Sequence, residues 1–248
     1  MLFHCMRADY KKLRRLPVKA AHVMIPIGVA AVFLVYYAYV PWEYESKIEA
    51  FYQVLAMGFP FLIGVFTAVL ADQELSAGMF QNMLSARRRT TAFFSKLLLL
   101  ILFGTGAVML ASVLFGTGFH FLSGERETGI GFHIAAAILL PGGNVFLYVI
   151  HFILAFALDK GVTVGVGIVE SLLSALLMTG MGEGVWPFVP AAWGSRLVTL
   201  FLQKCYFHGI IGADGRLACR VCALATLGSI AVFSVWSCRW DGAGKDNA

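Results

Sequence analysis

Charge is scarce in this chain. Only 13% of its 248 residues are Asp, Glu, Lys or Arg, where a soluble domain carries about 25%. The deficit is matched by 59% hydrophobic residues and a mean hydropathy of +0.79. These residues gather in membrane-length runs, which excludes a water-soluble fold. The formal charge of +5 is small and tied to the flanks of the runs, so nucleic acid is excluded as a partner. Cysteine is sparse as well. The five (Cys5, Cys205, Cys219, Cys222 and Cys238) are odd in number and scattered, which excludes a disulfide framework. Cys219 and Cys222 form a C-x-x-C, but it opens an apolar run with no second pair or nearby histidine. It reads as plain buried small residues ahead of redox or metal chemistry.

Nucleotide and catalytic signatures are also missing. G-x-x-x-x-G-K-[ST] does not occur, so the chain does not hold ATP in a phosphate-binding loop of its own. H-E-x-x-H and G-x-S-x-G are absent, and the histidines are dispersed. No small-residue cleavage site follows the first apolar run, which ends in Tyr36, Tyr37, Tyr39 and Trp42. The expectation is a retained membrane anchor in a chain with no catalytic site, cofactor or metal of its own.

What is present is the pattern of an all-α integral membrane protein. Residues 1–19 hold Arg7, Lys11, Lys12, Arg14, Arg15 and Lys19, with Phe3, Met6, Tyr10 and Leu13 spaced three and four apart. This predicts an amphipathic helix in the headgroup layer; the plainer reading is an ordinary basic flank, and the two are compatible. Six spans follow, at 20–40, 51–71, 97–119, 132–158, 162–181 and 217–238. Pro141-Gly142-Gly143-Asn144 interrupts the fourth and reads as a kink before a gate. The outer loop, 182–216, holds Trp186, Trp193 and an apolar run at 197–202 too short to span. Gly161 and Gly165 form a G-x-x-x-G suited to close helix approach. Six spans put both termini on one side. That side collects 13 of the 19 Lys and Arg, which predicts that it is cytoplasmic.

The stretch 72–96 is the long polar interruption with an ordered pattern of charge. Asp72 and Glu74 come first. Leu75, Met79 and Met83 follow at helical spacing, with Phe80 and Leu84 alongside. Arg87, Arg88 and Arg89 come next, then Lys96 at the mouth of the third span. Acids suit the N-terminal end of a helix, and residues i, i+4 and i+8 stack on one face. The spacing predicts a docking helix whose Met-rich face fills a partner's groove. The plainer alternative is an interfacial loop with snorkelling arginines.

Two ionisable residues lie deep in apolar runs. His151 is nine residues before Lys160 and Glu170 is ten after it. A hairpin at 159–161 sets both roughly 14–15 Å from the turn, at matching depth. They are either a polar point on a transport path or a structural pair, and a neutral Glu170 has Ser174 one turn along as another partner.

The order Asp72-x-Glu74-x-x-x-Gly78, a helix end at Leu84-Ser85, then Arg89 and Lys96, resembles the loop between spans two and three of ABC-2-type transporter permeases. The basic N-terminal helix, the six spans and the larger outer loop between spans five and six share that layout. The run E-L-S-A-G-M-F-Q-N-M-L-S-A-R is most similar to permease subunits of lantibiotic-immunity transporters, and bacitracin and other drug-export permeases share the arrangement. The resemblance implies a coupling helix drawn from Asp72, Glu74, Leu75, Gly78, Met79, Phe80, Met83 and Leu84. It implies a separate ATPase dimer holding ATP and Mg, and a second related permease or a copy of this chain. It also implies export of an antimicrobial peptide or another amphiphile from the cell membrane. Lys11, Lys12, Arg14, Arg15, Arg87, Arg88, Arg89 and Lys96 form the basic set at the membrane surface, facing anionic lipid. An intramembrane enzyme or a sensor using His151 and Glu170 is the alternative from another class.

Overall fold

The computed structural model describes residues 2–13, 17–124, 129–207 and 212–242. Among them every regular element is helical. The α-helices are α1 (Leu2–Leu13), α2 (Val18–Tyr39), α3 (Tyr44–Ser76), α4 (Gln81–Leu84), α5 (Arg89–Ser123), α6 (Ile130–Gly143), α7 (Val145–Ala157), α8 (Lys160–Leu177), α9 (Pro190–Phe207) and α10 (Ala213–Arg239). Short 3-10 turns at Gly180–Gly182 and Trp186–Phe188 join α8 to α9. Five helices (α2, α3, α5, α8 and α10) are long and apolar enough to cross a membrane. The pair α6–α7, bent by 42°, adds a sixth crossing if it is one span. This is a multi-pass membrane protein.

The bend falls at Asn144. Pro141 has no N–H to give, and Gly142 and Gly143 are poor helix formers. The Asn144 side-chain amide donates to the Leu140 carbonyl at 2.8 Å and satisfies an acceptor near the break. α6 and α9 cross almost backbone to backbone here, since a Cβ on Gly143 would lie 3.0 Å from Gly194 Cα. The segment read as an outer loop therefore contains a full helix. Ala191 through Ser195 are buried in succession, so α9 starts inside the bundle, against α6, α3 and α8, and not on its surface.

α3 packs chiefly on α8. A Cβ on Gly64 would meet Thr163 O at 2.8 Å, and one on Gly167 would meet Pro60 O at 3.0 Å. Gly161 and Gly165, expected to carry a close approach, do not make this one. Gly165 has no atom near a Cβ position, and Gly161 serves the N-cap of α8 through Asp159. The close face lies two residues further along, because a helix turns 100° per residue and Thr163 and Gly167 face α3.

The remaining departures follow from the same local rules. Tyr44 to Ala50, read as loop, is the start of α3. Cys222 is buried on α10, but Cys219 is exposed. α1 turns two faces in different directions. Asp9 and Leu13 are buried, while Phe3 and Tyr10, from the expected apolar stripe, are exposed. Arg14 and Arg15 lie outside the described residues.

Candidate functional site

The stretch 72–96 is not one helix with an acidic start. Ala71, Gln73, Glu74 and Leu75 suit a helix and nothing breaks the pattern before Ser76. Asp72, Glu74 and Leu75 therefore close α3. Beyond Ala77 the chain enters the left-handed region three times running, at Gly78 (φ 131), Met79 (φ 51) and Phe80 (φ 63). α4 then has four residues, and α5 begins at Arg89, eight residues before the expected span. Leu75, Met79 and Met83 consequently share no helical face.

The reason lies in Phe80. The reversed turn drops its ring between Phe156 (centroids 5.5 Å apart) and Trp240 (5.1 Å). Phe80 and Met83 are both buried. Burying each is worth roughly 1.5–3 kcal/mol, which offsets about 1–2 kcal/mol for each left-handed non-glycine residue. Arg89 Nε donates to the Leu84 carbonyl at 2.9 Å and closes the end of α4. Leu75 and Leu84 are half-buried. The outward surface is Ser76, Ala77, Gly78, Met79, Gln81 and Asn82. Arg87, Arg88 and Arg89 are exposed beside it.

Placing Asp72 and Glu74 at the C-terminal end of α3 sets two acids against the negative end of its dipole. Each has acquired a lysine. Glu74 (1% exposed) and Lys96 (3%) are paired at 2.8 Å. Lys96 also donates to Asp9 Oδ1 at 2.6 Å, and Ser95 donates to Asp9 Oδ2 at 2.6 Å. Lys12 reaches Glu74 at 3.2 Å from a half-exposed position. Two acids and two lysines thus balance in one cluster, and they join α1, α3 and α5. Outside it, Lys160 Nζ donates to Asp72 Oδ1 at 3.0 Å, which ties the end of α3 to the start of α8. Lys11 is exposed.

Asp9 and Ser95 were not legible as site residues. One signal was available for Asp9, the sole acid among residues 1–19. Lys96 sits inside the protein and not at its surface, so it holds helices together instead of facing lipid headgroups.

Deeper in the bundle, His151 Nε2 and Glu170 Oε2 stand 2.7 Å apart. The hairpin brings them together at one depth, as their spacing from Lys160 predicts. Ser174 donates to Ser195 on α9 at 3.1 Å, an interhelical contact. His151 also abuts α3, with Cε1 3.3 Å from where a Gly64 Cβ would stand. A second histidine pairing, Tyr52 Oη with His133 Nδ1 at 2.8 Å, links α3 to α6 and carries no sequence signal.

Compared with known families, residues 6–177 match one described as ABC-2 family transporter protein. The match runs from α1 to the end of α8 and takes in the charge cluster, the α3–α5 turn and the His151–Glu170 pair. No curated protein and no solved structure matches the chain. The chain belongs to the ABC-2 transporter family, as a membrane-embedded permease subunit, and that family implies an ABC ATPase as partner.

Proposed function

We propose that this permease exports a lantibiotic-like antimicrobial peptide from the cell membrane, driven through the turn between α3 and α5. The observation that carries the coupling role is the contrast within that turn. Phe80 and Met83 are buried anchors, while Ser76 to Met79, Gln81 and Asn82 face outward. A surface held rigidly from beneath transmits force, where a free loop would absorb it. The ATPase dimer, with ATP and Mg in its own sites, would close against this surface. Its states must bind the surface unequally, since only differential binding shifts an equilibrium.

Movement of the turn would pass to α1 and α5 through Glu74, Lys96 and Asp9, and to α8 through Asp72 and Lys160. Both termini and the turn lie on the cytoplasmic side, in keeping with the excess of Lys and Arg there. Arg87, Arg88 and Arg89 set the depth of the turn against anionic lipid. A second related permease, or a second copy, completes the pathway. The peptide substrate rests on the likeness of residues 74–87 to lantibiotic-immunity permeases.

Cells expressing the permease with its ATPase test both halves. Survival against a lantibiotic panel should require this chain, and Met79→Asp should abolish survival without lowering the amount in the membrane. Full resistance in that variant would overturn the coupling surface. Absence of protection against any lantibiotic, with ATPase stimulation intact, would overturn the substrate.

A further inference from the structure

α2 and α3 are neighbours in sequence but touch only sparingly, because α2 packs along α5. Between them lies a cavity of about 230 Å³. Its walls include His22, Ile25 and Pro26 of α2, Gly58 and Leu62 of α3, and Ala107 of α5. An apolar cavity of this kind stays dry and accepts hydrocarbon in place of water. It opens sideways, where Ile25 and Val54 are 38% and 50% exposed. Gly58 leaves it room, since a Cβ there would have no atom within 4 Å.

One end is closed by a stack of rings. His22 lies 3.9 Å from Phe66 and 5.4 Å from Phe103, and its Nδ1 is 2.7 Å from the Val18 carbonyl. Phe103 stacks on Tyr10 at 6.1 Å, and Lys19 Nζ stands 3.3 Å over the Tyr10 ring. A cation is therefore held just beyond the closed end of a hydrocarbon-sized groove, three residues before His22.

We propose that this groove is a lipid site, holding one acyl chain of an anionic phospholipid whose phosphate pairs with Lys19. The chain follows α2 from His22 to Val29, about 10 Å at 1.5 Å per residue. It supplies the α2–α3 packing that the protein leaves unmade. The charge on Lys19 selects an anionic headgroup over a zwitterionic one, as basic residues at a membrane surface do.

The test uses the full chain in phosphatidylcholine vesicles doped with phosphatidylglycerol bearing a photoactivatable diazirine at mid-chain. Crosslinks are mapped by mass spectrometry. Labelling is expected to concentrate on the peptides holding Ile25, Val29 and Leu62, above the outward-facing Leu224 and Leu227 of α10. Gly58→Phe, which fills the groove, should remove the groove labelling and spare α10. If that variant fails to insert, Ala107→Leu fills the same space from α5. A phosphatidylcholine probe should label the groove less than the phosphatidylglycerol probe, and Lys19→Gln should erase that difference. Equal labelling of groove and α10, or groove labelling untouched by the filling variants, overturns the site. Equal labelling by the two headgroups overturns the anionic assignment. Displacement of the probe by a cationic peptide would make the groove a substrate site instead.

Discussion

His151 Nε2 and Glu170 Oε2 stand 2.7 Å apart in the middle of the bundle, and this one bond joins α7 to α8. Among the described residues His151 Nδ1 has no hydrogen-bond partner, so the contact with Glu170 is the one polar anchor of the ring. Glu170→Leu strands the histidine, and His151→Phe strands the carboxylate. Each is expected to cost about 3–5 kcal/mol. The double variant should recover much of that loss, because both polar groups leave together. Heating detergent-solubilised protein and measuring the monodisperse fraction reads these values. Glu170→Gln keeps an amide in reach and should express and transport normally. Lost transport at normal expression would put the pair on the transport path.

The charge cluster separates stabilising contacts from incidental ones. Lys96→Met leaves Asp9 and Glu74 without the buried cation they share, and should cost about 3–5 kcal/mol. Lys12→Gln removes a half-exposed partner and should cost less than about 1 kcal/mol. The same thermal assay separates the two variants. Equal losses would mean that Lys12 holds α1 in place as firmly as Lys96 does.

Much of this arrangement was legible before the structure. The apolar runs gave the five membrane-length helices and the place of the bent α6–α7 pair, since membrane crossing needs length and hydropathy alone. The depth of His151 and Glu170 followed from counting residues out from one hairpin. What failed was periodicity over a broken segment. Leu75, Met79 and Met83 are spaced for one face only while the backbone stays helical, and Gly78 to Phe80 leave that region. The anchor responsible, Trp240, is 160 residues away in the chain. Local spacing carries no information about such a contact. Asp9 posed the same difficulty, with partners in α3 and α5.

Glycine substitutions test which face of α8 meets α3. Gly165→Ala places its Cβ in open space within a helix, and should be neutral or stabilising by up to about 1 kcal/mol. Gly167→Ala drives a methyl group to 3.0 Å from the Pro60 carbonyl, a backbone atom that cannot rotate away. Overpacking of that kind typically costs about 1–3 kcal/mol. Thermal stability of the pair decides the register. If Gly165→Ala is the damaging change, the G-x-x-x-G face is the one in contact.

Adjacent residues in the α3–α5 turn should fail in different ways. Phe80 is 2% exposed and packed on Trp240 and Phe156, whereas Met79 is 46% exposed. Phe80→Ala opens a cavity in the aromatic cluster and should cost about 3–5 kcal/mol, seen as less folded protein in the membrane. Met79→Asp changes a half-exposed side chain outside the aromatic cluster and should leave amount and thermal stability unchanged. Its effect should appear only with the ATPase present, as lost co-purification and lost stimulation of hydrolysis. The reverse outcome, an unstable Met79→Asp with normal stimulation in the protein that remains, would mean that the outward face of the turn is not where the ATPase acts. The force would then have to enter through α1, the other element that the Glu74–Lys96–Asp9 cluster ties to α3 and α5.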